Sequence, residues 1–202
     1  MADVGLIHGK KERSLFLSKA RPKAKLHTRY PLSSILIYNG STVAHYLLGG
    51  IGIIIGYNFS SWEGYFFGVL YLVFSFVEMY VVMPLTVCPN CVYYKLEDAL
   101  CISGLNVVAK RIAREGNLEN FAKRAEGVFC FNNMYITALI IPIIAIIPAL
   151  FLNHSMPLLI IFVALIALLV FRFFVIFSKI ACLHCRAKFR CPQAEQMGVR
   201  EL

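Results

Sequence analysis

Apolar positions in this chain fall in long blocks, where a soluble domain would show short helical or strand periods. Four blocks are long enough to cross a hydrocarbon core of about 30 Å as helices: Ile35–Tyr57, Tyr65–Val87, Met134–Leu152 and Pro157–Ile180. A brief loop around Ser60–Glu63 parts the first two, and Asn153, His154, Ser155 and Met156 part the last two. The expected fold is an all-α integral membrane protein, its four transmembrane helices arranged as two hairpins. Between the hairpins Leu105, Val108 and Ile112 recur at helical spacing while Lys110, Arg111 and Arg114 point elsewhere, and Gly116-Asn117 marks a turn before a second short helix. Short amphipathic helices lying on the membrane face are expected there.

Lysine and arginine set the expected orientation. The N-terminal arm carries Lys10, Lys11, Arg13, Lys19, Arg21, Lys23, Lys25 and Arg29, whereas the two hairpin loops carry none. The arm, the central loop and the C-terminal tail are thus expected in the cytoplasm, with both termini on that side. Three regions follow: a basic arm over 1–33, a membrane domain over 34–181 with its cytoplasmic loop at 88–131, and a cysteine-containing tail over 182–202. Leu15-Phe16-Leu17 is too short for a signal-peptide core, and Ala2 in place of Gly argues against N-myristoylation.

Composition agrees with the pattern. With 59% hydrophobic and 15% charged residues and a mean hydropathy of +0.70, the chain is too apolar for a soluble domain. Its net charge of +9 adjoins the membrane blocks, which fits the positive-inside rule and attraction to anionic lipid and speaks against nucleic-acid binding. Gly52 and Gly56 form a GxxxG pair in the first block, a device for close helix approach.

The candidate chemistry lies in the cysteines. Cys88-Pro-Asn-Cys91 and Cys182-Leu-His-Cys185 each follow an apolar block directly, Cys101 follows the first pair, and Cys191 follows the second. A Cys-x-x-Cys knuckle lets two thiolates hold one tetrahedral ion, as in zinc ribbons and iron–sulfur proteins. In a reducing compartment structural disulfides are disfavoured, so metal ligation or redox chemistry is expected. The metal-ligand candidates are Cys88, Cys91, Cys182, Cys185, Cys191 and Cys101, with Cys130 less certain. His184, in the middle of a knuckle, is read as a non-ligand. An iron–sulfur cluster and zinc both suit these ligands; the surplus of thiols favours the cluster. The chain is superficially similar to four-helix membrane thiol oxidoreductases of the quinone-linked and vitamin K epoxide reductase types, which carry Cys-x-x-Cys at a helix end. Their reactive cysteines work on the oxidising side, and the charge bias here places the cysteines opposite, so that activity is not carried over.

The two halves also repeat a charge. Glu78 stands ten residues before Cys88 and Arg172 ten before Cys182. Ten helical residues rise about 15 Å, which puts both charges at one depth with His45 nearby. Charges at such depth are expected to face inward and pair. His45, Glu78 and Arg172 are the candidates for a proton or quinone site, and a Glu78–Arg172 ion pair that only fixes helix packing is the simpler reading. No nucleotide-binding loop, zinc-protease helix or serine triad is present, and no catalytic residue is assigned. Two functions are expected. One is a membrane subunit of a redox complex, relaying electrons between a soluble partner subunit on the basic face and a quinone. The other is a zinc-stapled anchor or assembly protein without chemistry of its own.

Overall fold

The computed structural model describes residues 24–57, 62–123, 131–153, 155–191, 194–195 and 197–200. Most of the basic arm, Cys130 and His154 lie outside them. The described residues are helical throughout, with no strand beyond two isolated parallel bridges, His27 to Cys185 and Arg29 to Leu100.

Pro31, extended at φ −64° and ψ 146°, ends the incoming segment and opens α1 (Leu32–Gly56). Helix α2 (Glu63–Val77) starts with an acidic residue in its first turn, where it complements the helix dipole. It runs without a break into a π-helical turn (Glu78–Val82) and then α3 (Met83–Thr86). The change of register falls just before Pro84, whose missing N–H interrupts the i→i−4 ladder in any case. A 3-10 turn (Cys88–Asn90) closes this rod. The connecting stretch contains α4 (Val92–Lys95), α5 (Leu105–Ile112) and α6 (Leu118–Lys123). The second hairpin is α7 (Phe131–Leu152) and α8 (Met156–Phe171), and α8 passes into a longer π segment (Arg172–Ala181) before the 3-10 turn Arg186–Arg190.

Among the described residues three runs are long and apolar enough to cross a membrane: Glu63–Asn90, Met134–Leu152 and Met156–Ala181. The expectation of four such runs is met by three. Helix α1 has the length, with 25 residues, but Asn39, Ser41, Thr42, His45 and its glycines make it less apolar. Those residues explain its place, because α1 packs against α2, α7 and α8 at the centre of the bundle. A Cβ built on Gly49, Gly52 or Gly56 would stand 2.7, 2.5 or 2.7 Å from Pro142, Ile146 or Ala149, a row on one face of α7. The expected GxxxG contact is therefore one part of a longer glycine seam. Around this centre Phe66, Val69, Leu70, Val73 and Val77 of α2 and Ile160, Val163 and Val170 of α8 turn outward, as lipid-facing residues do.

Candidate metal-binding cap and buried polar core

At one end of the bundle the two knuckles close onto one small core. Tyr30, Tyr93 and Ala99 are buried there, and Cys91, Cys101 and Cys185 pack against them. The segment before α1 acts as a strap between the halves. His27 donates its N–H to the His184 carbonyl at 2.9 Å, while Leu100 N–H reaches Thr28 O at 3.0 Å and Tyr30 N–H reaches Leu100 O at 2.9 Å. Two tyrosine hydroxyls tie the strap further: Tyr30 donates to Ala181 O and Tyr93 donates to His27 O, both at 2.6 Å. Asn90, inside the first knuckle, donates to Thr86 O at 2.7 Å and accepts Asn117 N–H at 3.1 Å, so the Gly116-Asn117 turn docks on the knuckle. Asn106 accepts the Cys101 N–H at 3.1 Å and donates to Ala99 O at 2.8 Å, which fixes the loop bearing Cys101.

The thiols are enclosed and mutually coupled. Burial pushes the Cys91 thiol well up, the Cys182 thiol up to about 12 and the Cys185 thiol up to about 11. A charge on Cys185 or Cys101 would raise Cys91 further, and one on Cys191 or Cys101 would raise Cys185. The backbone opposes burial in the same way at both knuckles. Tyr93 N–H favours the Cys91 thiolate and Ala187 N–H the Cys185 thiolate, each from two residues further on. Cys88 and Cys182 instead pack against the main bundle core. The six described cysteines are free thiols. Among the described residues no group of three or more His, Cys, Asp and Glu side chains is disposed to hold a metal ion. The cap thus gathers Cys91, Cys101 and Cys185 in one core, with Cys88 and Cys182 packed against another. His184 is engaged elsewhere, its Nδ1–H donating to Lys25 O at 2.8 Å.

Deeper in the bundle the charges are arranged differently from the expectation. Arg172, 1% exposed, donates to Thr42 Oγ1 at 2.6 Å and to Ser41 Oγ at 3.1 Å. Its guanidinium lies over the rings of Tyr38, Tyr135 and Phe177 at 4.9, 5.0 and 5.5 Å from their centroids. Such a box disperses a cation that has no anion beside it. Glu78 is equally enclosed, yet neither carboxylate oxygen has a hydrogen-bond partner. The expected Glu78–Arg172 ion pair is absent: hydroxyls and rings hold the arginine, and nothing holds the carboxyl. His45 Nε2 donates to Leu139 O at 2.8 Å, since a carbonyl can only accept, and this leaves Nδ1 a buried acceptor without a partner. Tyr46, Ser75 and Tyr135 also carry buried hydroxyls without partners.

Sequence reasoning missed two features of this core. Glu78 and Arg172 each open a π-helical segment, a local widening that often accompanies functional sites. Tyr38, Thr42 and Tyr46 on α1 and Tyr71, Ser75 and Glu78 on the other rod are all buried; their i, i+4, i+7 or i+8 spacing was the available signal. An apolar groove of about 630 Å³ is lined by Ile53, Tyr57, Leu70, Tyr71, Ile141 and Ala145, and His45, Glu78 and Arg172 are not among its walls. Comparison with protein families, curated proteins and solved structures finds no match to this chain.

Proposed function

We propose that this chain is an integral-membrane subunit of a redox complex whose cysteine cap ligates a metal. The observation that carries the reading is the meeting of the two knuckles: Cys91, Cys101 and Cys185 share one small core, and matched backbone N–H groups favour thiolate at Cys91 and Cys185. Buried thiols with raised pKa values and thiolate-directed amides suit a soft cation, which supplies the charge that burial withholds. In this reading α1 is a fourth span, both termini and the cap are cytoplasmic, and α5, with Val107, Val108 and Ile112 exposed beside Lys110 and Arg111, lies on the membrane surface. Three thiols from each half, Cys88, Cys91 and Cys101 with Cys182, Cys185 and Cys191, exceed the four of one zinc site, which favours an iron–sulfur cluster taking electrons from a soluble partner toward a quinone.

A second reading rests on the same cap. The thiols stand inside the apolar cluster that joins strap, loop and tail, a position suited to structural zinc clasping the hairpins without chemistry. Purification without oxygen, followed by metal analysis and a visible spectrum, separates the two. The redox reading expects iron, sulfide and broad visible absorption; colourless protein with stoichiometric zinc supports the clasp. Protein with neither metal and with all its thiols free overturns both.

A further inference from the structure

Glu78 is 1% exposed, and both of its carboxylate oxygens lack a partner. Ser75, one turn earlier on the same face, has a fully buried hydroxyl that is also unpartnered. Across the interface Tyr46, 0% exposed, has an unpartnered hydroxyl within electrostatic reach of Glu78, its ring set edge-on to Phe76 at 5.7 Å and Tyr71 at 6.5 Å. The other titratable or charged groups facing this interior are Tyr38 and His45 on α1, Tyr80 on the π turn, Tyr135 on α7 and Arg172 on the second π segment. Arg172 is committed to Ser41, Thr42 and three rings, and His45 to Leu139. The Nε–H of Arg172 also lacks an acceptor, yet neither Glu78 oxygen receives a hydrogen bond.

An ionised carboxylate is an acceptor only, and removing it from water without donors is far more costly than removing the neutral acid. We propose that Glu78 is an intramembrane proton-binding site, a buried carboxylic acid with the Ser75 hydroxyl one turn away on its own helix and the Tyr46 hydroxyl within electrostatic reach. The proposal narrows the proton or quinone site to one residue and rests on the membrane placement of the bundle, not on the metal in the cap. A proton needs no cavity, which suits a carboxyl enclosed by packed rings. Loading forms one O–H bond at a Glu78 oxygen and cancels one negative charge; release returns the proton to water, and no electron moves. Arg172 is removed from the site and becomes a structural cation.

Infrared spectroscopy of the full chain in lipid, in sodium-free buffer at neutral pH, tests this. The protein should show the C=O stretch of a protonated carboxyl, shifted in D2O, and the Glu78 variants assign it. Glu78→Gln should erase the band, and Glu78→Asp should move it without erasing it, so the assignment does not depend on one variant folding. Identical spectra for the parent and both variants would overturn the proposal, as would loss of the band on adding sodium, which would make a metal cation the resident ligand. Metal content of the cap is read separately and should be unchanged in both variants, so failure here is distinguishable from failure of the metal reading.

Discussion

Glu78 and Arg172 occupy matching places in the two halves, each at the head of a π segment and each 1% exposed, and they do not touch. Arg172 takes its partners from α1 and from ring faces, while the carboxyl of Glu78 has none. Removing one should therefore leave the environment of the other intact. A double-mutant cycle with Glu78→Gln and Arg172→Met should be additive to within about 0.5 kcal/mol. Thermal unfolding in detergent measures it, and a coupling well above that value would restore the ion pair.

Arg172 itself should be intolerant of lysine. Its planar fork reaches two hydroxyls at once, and its flat face lies against three rings; an ammonium on a flexible stem reproduces neither. Losing one charge-assisted hydrogen bond and part of the ring contact should cost Arg172→Lys about 2–3 kcal/mol. Thr42→Val removes the 2.6 Å partner alone and should cost about 1.5–3 kcal/mol, measured by the same unfolding transition.

The contact of α1 with α2 gives a steric test. A Cβ on Gly68 would lie 2.8 Å from the backbone oxygen of Gly50 and closer still to the Ile54 side chain. Backbone cannot swing aside as a side-chain tip can, so Gly68→Ala must separate the helices, at about 1–3 kcal/mol. Gly40 has open space around a new Cβ. Gly40→Ala should be neutral or slightly stabilising, and the difference between these alanines checks the register of the hairpin by thermal unfolding alone.

How much of this was legible in the chain depended on the range of the interaction. The rods read directly, because Tyr65–Val87 and Pro157–Ile180 are predominantly apolar and length decides the rest. That Cys91 and Cys185 reach one small core follows from their place after the rods, while Cys88 and Cys182 pack against the main bundle core. The strap did not, because His27 and Tyr30 are held by carbonyls of His184 and Leu100, partners that no local pattern announces. The ion pair was the misreading. Equal depth fixes height along the helices but not rotation about them, and the rotation of the π segment turns Arg172 toward Ser41 and Thr42. Those two hydroxyls stood in the sequence as polar residues of a glycine-rich helix, with nothing to mark them as arginine ligands.

The cysteines themselves should divide by position. Cys91→Ser, Cys101→Ser and Cys185→Ser should each lower bound metal sharply, because a hard hydroxyl replaces a thiolate in the core where strap and knuckles meet. Metal analysis of the purified variants checks this, and full occupancy in all three would refute a centre built on these residues.

The last prediction separates a ligand-supporting tyrosine from one that only packs. Tyr93 and Tyr30 lie in the same cluster, with ring centroids 6.3 Å apart, and each hydroxyl donates to a backbone carbonyl at 2.6 Å. Their further duties differ. Tyr93 also accepts the N–H of Arg186, the residue next to Cys185, at 3.2 Å, whereas Tyr30 ties the strap to Ala181. Tyr93→Phe and Tyr30→Phe should each cost about 1–3 kcal/mol of stability, the cost of leaving a buried carbonyl unpaired. Only Tyr93→Phe should also weaken metal binding, by about 10- to 100-fold, the effect of losing a group that orients a ligand. Unfolding transitions and competition with a chelator measure the two effects separately. Equal losses of metal affinity in the two variants would mean that the hydroxyl of Tyr93 supports the fold of the cap and not its sulfur.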